Sequence, residues 1–274
     1  VMVHQRLDFF LLAMDQLVNA AAKWRYTFGP GNDIPITIRL IIGRGWGQGP
    51  THAQNLQAWF AHIPGLKVVA PTSPEDAYGL LLAAIHDPNP VLFLEHRWLH
   101  NGTGDVPEGD VRQPIGIAKI LRSGNDLTIV SQSFLTAEAL RAADYLNAQG
   151  VHPDIIDLRT IRPIDWDCIH ASVERTGRLL VLDPGHATGS VAGEIVARVA
   201  MERFSALRTA PRRIAMPDVP EPTSFGLTRG FYPGANEIIA ACLQLMGRSI
   251  EASVEMPREA KFHDVPGQWF KGPF

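Results

Sequence analysis

At 274 residues, with 46% hydrophobic and 19% charged residues and no long low-complexity tract, the chain carries enough apolar material for a core, which excludes disordered and fibrous classes. A formal net charge of -3, without any Lys/Arg run, gives no electrostatic reason to expect nucleic acid or an anionic membrane surface. Cys168 and Cys242 lack metal-ligand spacing, which argues against a disulfide scaffold or zinc site and suits a reducing cytoplasm, and no stretch reaches the roughly 18 apolar residues of a membrane span.

The chain opens Val1-Met2-Val3-His4, without an initiator methionine or a basic secretion leader, and runs almost at once into an amphipathic segment, as expected of a chain cut inside a domain. Residues 8–28 predict a helix. Asp8 stands where a cap belongs, Leu11, Met14, Leu17, Val18 and Ala21 recur every three or four residues, and Gly29-Pro30-Gly31 stops it. A strand follows over 34–42. Beyond the Gly-rich link 43–50, a second helix is expected from Thr51 to about Pro64-Gly65, with Gln54 completing a capping box. Residues 66–70 read as a strand. Ser73-Pro74-Glu75-Asp76 then supplies cap, first-turn proline and first-turn acids for a helix with Ala77, Leu80, Leu81, Ala84 and Ile85 on its apolar face.

Residues 91–94 form an uninterrupted apolar run, the mark of a strand covered on both faces in a parallel sheet. The segment 100–114, rich in Gly, Pro and Asp, reads as a linker. After it, strands are expected at 127–131, 154–158, 179–182 and 213–216, and helices at 136–148, 165–174, 190–204 and 236–245. The expectation is therefore an α/β protein with two parallel or mostly parallel sheets, divided into residues 1–105, residues 106–248 and an extended tail, 249–274. In that tail Trp269, Phe270 and Phe274 have no core of their own and are expected to lie across a neighbouring surface.

Ligands of open α/β sheets bind beyond the carboxyl ends of strands, which directs attention to Gly43-Arg44-Gly45-Trp46-Gly47-Gln48-Gly49-Pro50. No Lys-Ser/Thr follows and the Rossmann spacing is absent, so a mobile tight connection explains this loop as well as a phosphate cradle does. His52 comes next. The spacing of Leu56, Trp59, Phe60 and Ile63 puts it on the inward face at a helix N-terminus, where a neutral ring is expected; a capping or core histidine is the ordinary alternative. Glu95, His96 and Arg97 either line a site or end a strand at solvent. Asp157, Arg159 and Arg162 read as a structural or interface network, and His186, in Asp183-Pro184-Gly185-His186-Ala187-Thr188-Gly189-Ser190, is a candidate set against an ordinary loop.

Taken together, Asp8-Phe9, Asp15-Gln16, Gly49-Pro50-Thr51-His52-Ala53-Gln54, Pro64-Gly65-Leu66-Lys67-Val68-Val69, Asp87-Pro88-Asn89-Pro90, Asp157-Leu158-Arg159-Thr160 and Thr176-Gly177-Arg178-Leu179 resemble the beta subunit of the E1 component of pyruvate and branched-chain 2-oxoacid dehydrogenases. The resemblance runs to about Met246. It implies a transketolase-like pyrimidine-binding domain, truncated at its start, followed by a transketolase C-terminal domain. The implied activity is thiamine-diphosphate-dependent oxidative decarboxylation of a small 2-oxoacid, with acyl transfer to a lipoyl group. By the same resemblance Phe9 packs on the cofactor's aminopyrimidine and His52 is the active-site histidine. The carbonyls of Ile36, Ala84, Ile85, Asp87 and Asn89 correspond to a potassium site that holds loops; oxygen ligands without excess carboxylate suit a monovalent ion.

Thr51 and Ala53 replace the family's Gln and Ser around the histidine, so that motif is kept in part. The family's pyrimidine-binding glutamate falls upstream of Val1, and its magnesium-diphosphate anchor belongs to the alpha subunit. The resemblance therefore implies a cofactor site shared between chains, a heterotetramer in which this chain meets an alpha subunit and a second beta subunit and serves a lipoyl-bearing E2, and an isolated chain without activity. Two rivals stay open: a transketolase-like ketol transferase subunit, whose phosphosugars would call for more basic residues, and a non-catalytic assembly module.

Overall fold

The computed structural model describes residues 1–44, 47–248, 263–266 and 270. β1 (Met2–His4), β2 (Thr37–Ile42), β3 (Lys67–Val69), β4 (Val91–His96) and β8 (Thr160–Arg162) build the first sheet, in the order β1-β2-β4-β3-β8. β5 (Lys119–Arg122), β6 (Leu127–Ser131), β7 (Pro153–Asp157), β9 (Leu179–His186) and β10 (Arg212–Met216) build the second, in the order β10-β9-β6-β7-β5. Pairing is parallel except at two edges, β3 with β8 and β5 with β7. The central strands account for this: Val91, Leu92, Phe93 and Leu94 are all buried, as are all five residues of β6, so both faces need helices over them and crossovers must join the strands.

One apolar cluster runs through both sheets. Leu40, Phe60 and Leu92 of the first half meet Val130, Ile156, Val181 and Ile195 of the second, each fully buried side chain contributing on the order of 1.5–3 kcal/mol. A second cluster lies beneath α6 (Phe134–Ala148) and the helix Ala235–Leu245 and includes Leu127, Leu182 and Ile239. Among the described residues no helix is long and apolar enough to cross a membrane.

Helix signals held where they were local. Ser73 caps α5 (Pro74–Ile85) by accepting from the Asp76 N–H at 3.1 Å. Asp165 caps α7 (Trp166–Thr176), which ends on Gly177 at φ +71°. The expected helix over 8–28 is helical but not uniform: α1 (Leu7–Phe10), a 3-10 turn (Leu11–Ala13), a π-helical stretch (Gln16–Ala21) and α2 (Ala22–Phe28) follow one another. Arg6, not Asp8, is the residue before the first turn, and Asp8 makes no cap.

The helix expected from Thr51 to residue 64 is two short ones, α3 (Gly49–His52) and α4 (Gln57–His62). The break has long-range causes. The Gly43 N–H reaches the Gln54 carbonyl at 3.1 Å, and the Gln57 side chain donates to Asp183 Oδ1 at 2.6 Å, so 53–56 are held away from helical pairing. His52 thus ends a four-residue helix and does not begin a long one, and the expectation of a ring at a positive helix end is corrected. Gln54 donates to the Thr51 carbonyl instead of completing a capping box, and Trp59 faces solvent while Phe60 is buried.

Where the halves meet, Asp157, Arg159 and Arg162 form a network. The buried Arg159, at φ +54°, pairs with Asp76 Oδ1 at 2.8 Å and donates to the Ile117 carbonyl, while Arg162 donates to the Ala61 carbonyl at 3.1 Å. Burial, reinforced by nearby Asp76, pushes the Asp157 carboxyl up to about 7 from its ordinary 3.8. Between those values the folded state keeps a proton that the unfolded chain has lost. The resulting stability penalty is absent below about pH 4, grows as pH rises towards 7 and is constant above. Asp157→Asn is therefore expected to raise the thermal midpoint at pH 8 and to leave it nearly unchanged at pH 4.5; equal shifts at both pH values in calorimetry would refute this.

Of the tail, Asp264 reaches into the first half and Phe270 packs on the second cluster. The remaining tail expectations, on 249–262, Trp269 and Phe274, lie outside the described residues, as do Gly45 and Trp46 of the Gly-rich loop.

Candidate functional site

The Gly-rich loop leaves the carboxyl end of β2 and is pinned from several sides. Arg6, buried just before α1, donates to the Gly43 carbonyl at 3.1 Å and also bonds the Gln48 side chain, so one guanidinium holds both ends of the loop. Burial, with Arg97 nearby, lowers that guanidinium to about 10, still charged at neutral pH. Gly43, at φ +76°, lies against the His96 ring, where a Cβ would collide with the imidazole. On the other side Arg44 pairs with Asp264 at 2.6 Å, both side chains 3% exposed, and donates to the Pro222 carbonyl at 2.9 Å.

The pinned loop delivers His52 to α1. His52 Nδ1 lies 3.0 and 3.1 Å from the two carboxylate oxygens of Asp8. A carboxylate accepts and does not donate, so Nδ1 carries the hydrogen and Nε2 is the ring atom available to a ligand. The Phe9 ring, 53% exposed, stands beside the imidazole with centroids 5.3 Å apart. Phe9 and His52, 43 positions apart in sequence, therefore stand side by side at the surface, with Asp8 behind them. An open aromatic face next to an imidazole of fixed tautomer fits a planar heterocycle.

The other candidates fall elsewhere. Glu95 is held by Arg39 in a two-point pair at 2.7 and 3.0 Å. His96 is buried, stacked on Phe134 at 5.4 Å, accepts from the Trp98 N–H, and is driven down to about 3 by burial, so it is a neutral structural ring. Ile36, Ala84, Ile85, Asp87 and Asn89 gather at the opposite end of the first sheet. The Ile36 carbonyl accepts from the Val91 N–H at 2.9 Å, the Ala84 carbonyl accepts from the Asp87 N–H at 3.3 Å, Asp87 accepts from the Asn89 backbone, and Lys67 pairs with the Asp87 carboxylate. Six residues of β2, roughly 20 Å at strand rise, separate this cluster from the Gly-rich loop. Among the described residues no group of three or more His, Cys, Asp or Glu is placed to hold a metal.

Sequence reasoning passed over Arg6, the pairing of Asp8, and Asp264. Each acts on a partner at least 37 positions away, and no local pattern marks such a residue.

Two mostly parallel sheets joined through a common core, with the Phe9–His52 pair beyond the carboxyl end of the first, define a transketolase-like α/β protein. A split-gene transketolase solved as an inactive beta4 tetramer has this fold, with a TM-score of 0.71 at 21% identity over 88% of this chain and 74% of that one. The models of the transketolase pyrimidine-binding domain and the transketolase C-terminal domain match residues 1–103 and 116–238. The beta subunit of acetoin:2,6-dichlorophenolindophenol oxidoreductase from Cupriavidus necator is 42% identical over 88% of this chain and 71% of its own length. The pyruvate dehydrogenase E1 beta subunit of Rhizobium meliloti is 43% identical over 85% of this chain and 51% of its own. The chain belongs to the family of E1 beta subunits of thiamine-diphosphate-dependent dehydrogenases.

Proposed function

We propose that this chain is the beta subunit of a thiamine-diphosphate 2-oxoacid dehydrogenase E1, working in the cytoplasm with an alpha subunit and a second beta subunit and passing its acyl product to a lipoyl-bearing E2. The observation that carries this reading is the 5.3 Å approach of Phe9 to a His52 whose tautomer Asp8 sets. Bound thiamine diphosphate would supply a nucleophilic carbon that attacks the substrate carbonyl and accepts the electron pair when carbon dioxide leaves. Phe9 would cover the aminopyrimidine face, and His52 Nε2 would hold or move a proton near the reacting oxygen. Residues 1–105 would form the pyrimidine half of the site and 106–248 the C-terminal domain. The magnesium anchor would come from the alpha subunit. Potassium would sit on the carbonyls of Ile36, Ala84, Ile85, Asp87 and Asn89, where the only carboxylate, that of Asp87, already has Lys67 as its counter-ion.

A second substrate reading has its own support, since the acetoin-linked relative is as similar as the pyruvate-linked one. In acetoin the broken bond again joins the carbonyl carbon to an oxygenated neighbour, and acetaldehyde leaves in place of carbon dioxide. Assaying the assembled enzyme on both substrates separates the two. Titration of thiamine diphosphate with magnesium tests the shared reading: binding is expected only with the alpha partner, and Phe9→Ala is expected to weaken it about three- to tenfold. Failure to bind with or without the partner would favour an assembly module.

A further inference from the structure

The loop that leads to His52 is held at Arg44 by a residue outside both matched domain models. The second of those models ends at residue 238, and Asp264 lies beyond it in the C-terminal segment. Arg44 is 3% exposed, so water does little to stabilise its charge. Asp264, equally buried, balances that charge through one bond of 2.6 Å from the guanidinium to Oδ2. Arg44 Nε and Asp264 Oδ1 have no partner among the described residues, so the pair depends on that single contact. The guanidinium also donates to the Pro222 carbonyl at 2.9 Å and lies 5.4 Å from the Tyr232 ring centre, but neither group brings a full negative charge.

Asp264 is itself anchored on the second half of the molecule. The Thr228 hydroxyl lies 3.2 Å from its Oδ2 and 3.0 Å from His263 Nε2, and the His263 and Phe225 rings stand 4.1 Å apart. Phe225 opens the 3-10 turn Phe225–Leu227, which Thr228 closes. On the other side of the pair the loop has little slack. Arg6 bonds Gly43 and Gln48, Gly49 lies so near Thr223 that a Cβ would come within 2.7 Å of its Oγ1, and the Gly43 N–H reaches the Gln54 carbonyl. His52 sits between Gly49 and Gln54, two of these fixed points.

We propose that Asp264 is a positioning residue: the C-terminal segment latches the loop through Arg44 and so fixes where His52 meets Asp8 and Phe9. Without the carboxylate, a buried guanidinium has no counter-ion, and its relief is to turn towards water, which draws the loop off Pro222 and Thr223. The imidazole would then be chemically intact but misplaced, and a misplacement of about 1 Å can cost on the order of 10²-fold in rate. The catalytic consequence rests on the reading of His52 as the active-site histidine; the latch does not.

Trypsin reads the latch without any assay of activity, because cleavage after Arg44 requires that side chain to be free. In the full chain Arg44 is expected to resist cleavage, and in Asp264→Ala the fragment ending at Arg44 is expected to appear at least about tenfold faster. Cleavage after Arg112, 43% exposed, should keep its wild-type rate and so shows that the variant is folded. In the assembled enzyme Asp264→Ala is expected to lower kcat about tenfold per cofactor-bound site. The double variant Arg44→Met with Asp264→Leu, which buries no charge, is expected to recover most of that loss. Equal protection of Arg44 in wild type and Asp264→Ala would overturn the latch. Faster cleavage with unchanged kcat would overturn positioning, and a double variant as slow as Asp264→Ala would overturn the role of charge. A wild-type assembly inactive on both a 2-oxoacid and acetoin would overturn the functional reading, and positioning with it, while the trypsin result would still decide whether the latch exists.

Discussion

Replacing His52 by alanine in the assembled enzyme is expected to lower turnover by about 10²-fold or more, a typical contribution of a positioned proton-transfer group. The thermal midpoint should move little, because the side chain is 40% exposed and its removal opens the Asp8 carboxylate, 9% exposed beneath it, to water. The argument depends on the tautomer. With Asp8 accepting from Nδ1 at 3.0 Å, Nε2 is the ring atom that, on the proposed reading, would exchange a proton with the substrate oxygen. Asp8→Asn is therefore expected to lower turnover too, with the imidazole still present, because an amide can donate to Nδ1 and so favours the opposite tautomer. Steady-state and single-turnover rates on a 2-oxoacid and on acetoin check both variants; turnover within about threefold of wild type for His52→Ala would remove the histidine from the mechanism.

The second large effect is on stability. Arg159→Met is expected to cost about 3–5 kcal/mol, the usual penalty for removing one partner of a buried ion pair. The guanidinium is the buried counter-ion of Asp76 and also satisfies the Ile117 carbonyl, so its loss leaves the Asp76 carboxylate with the Ser73 hydroxyl but no counter-ion, and the Ile117 carbonyl without its donor. The residue also holds a left-handed conformation, at φ +54°, that its contacts must maintain. A fall in midpoint on the order of 10 °C follows for a chain of this size. Denaturant melts giving a loss below about 1 kcal/mol would show that the halves are held by their apolar core alone.

These two sites differ in how far they could be read in advance. The layered fold was legible because its signals are local: buried apolar runs such as 91–94, the Ser73 cap and the Gly177 stop each act within a few residues. Phe9 and His52 came into view through resemblance to a family, since neither spacing nor composition relates two residues 43 positions apart. The division of the helix after His52 was hidden because its causes, the Gly43–Gln54 and Gln57–Asp183 bonds, involve other strands. β5 was missed as a short edge with alternating exposure, and β8 as three residues between the unusual backbone of Arg159 and Pro163. The irregularity of the first helix escaped notice because periodicity alone does not distinguish π from α winding. Asp8 was read as a cap because an acid at a helix start usually is one.

The strand Thr160–Arg162 has a consequence for how the protein is made. The first sheet gains β8, the edge strand beside Lys67–Val69, only after the whole stretch from Val69 to Thr160 has been synthesised. Until then the Lys67–Val69 edge leaves the ribosome with unmet backbone donors and acceptors, and every nascent chain passes through an interval in which that border can pair with a stranger.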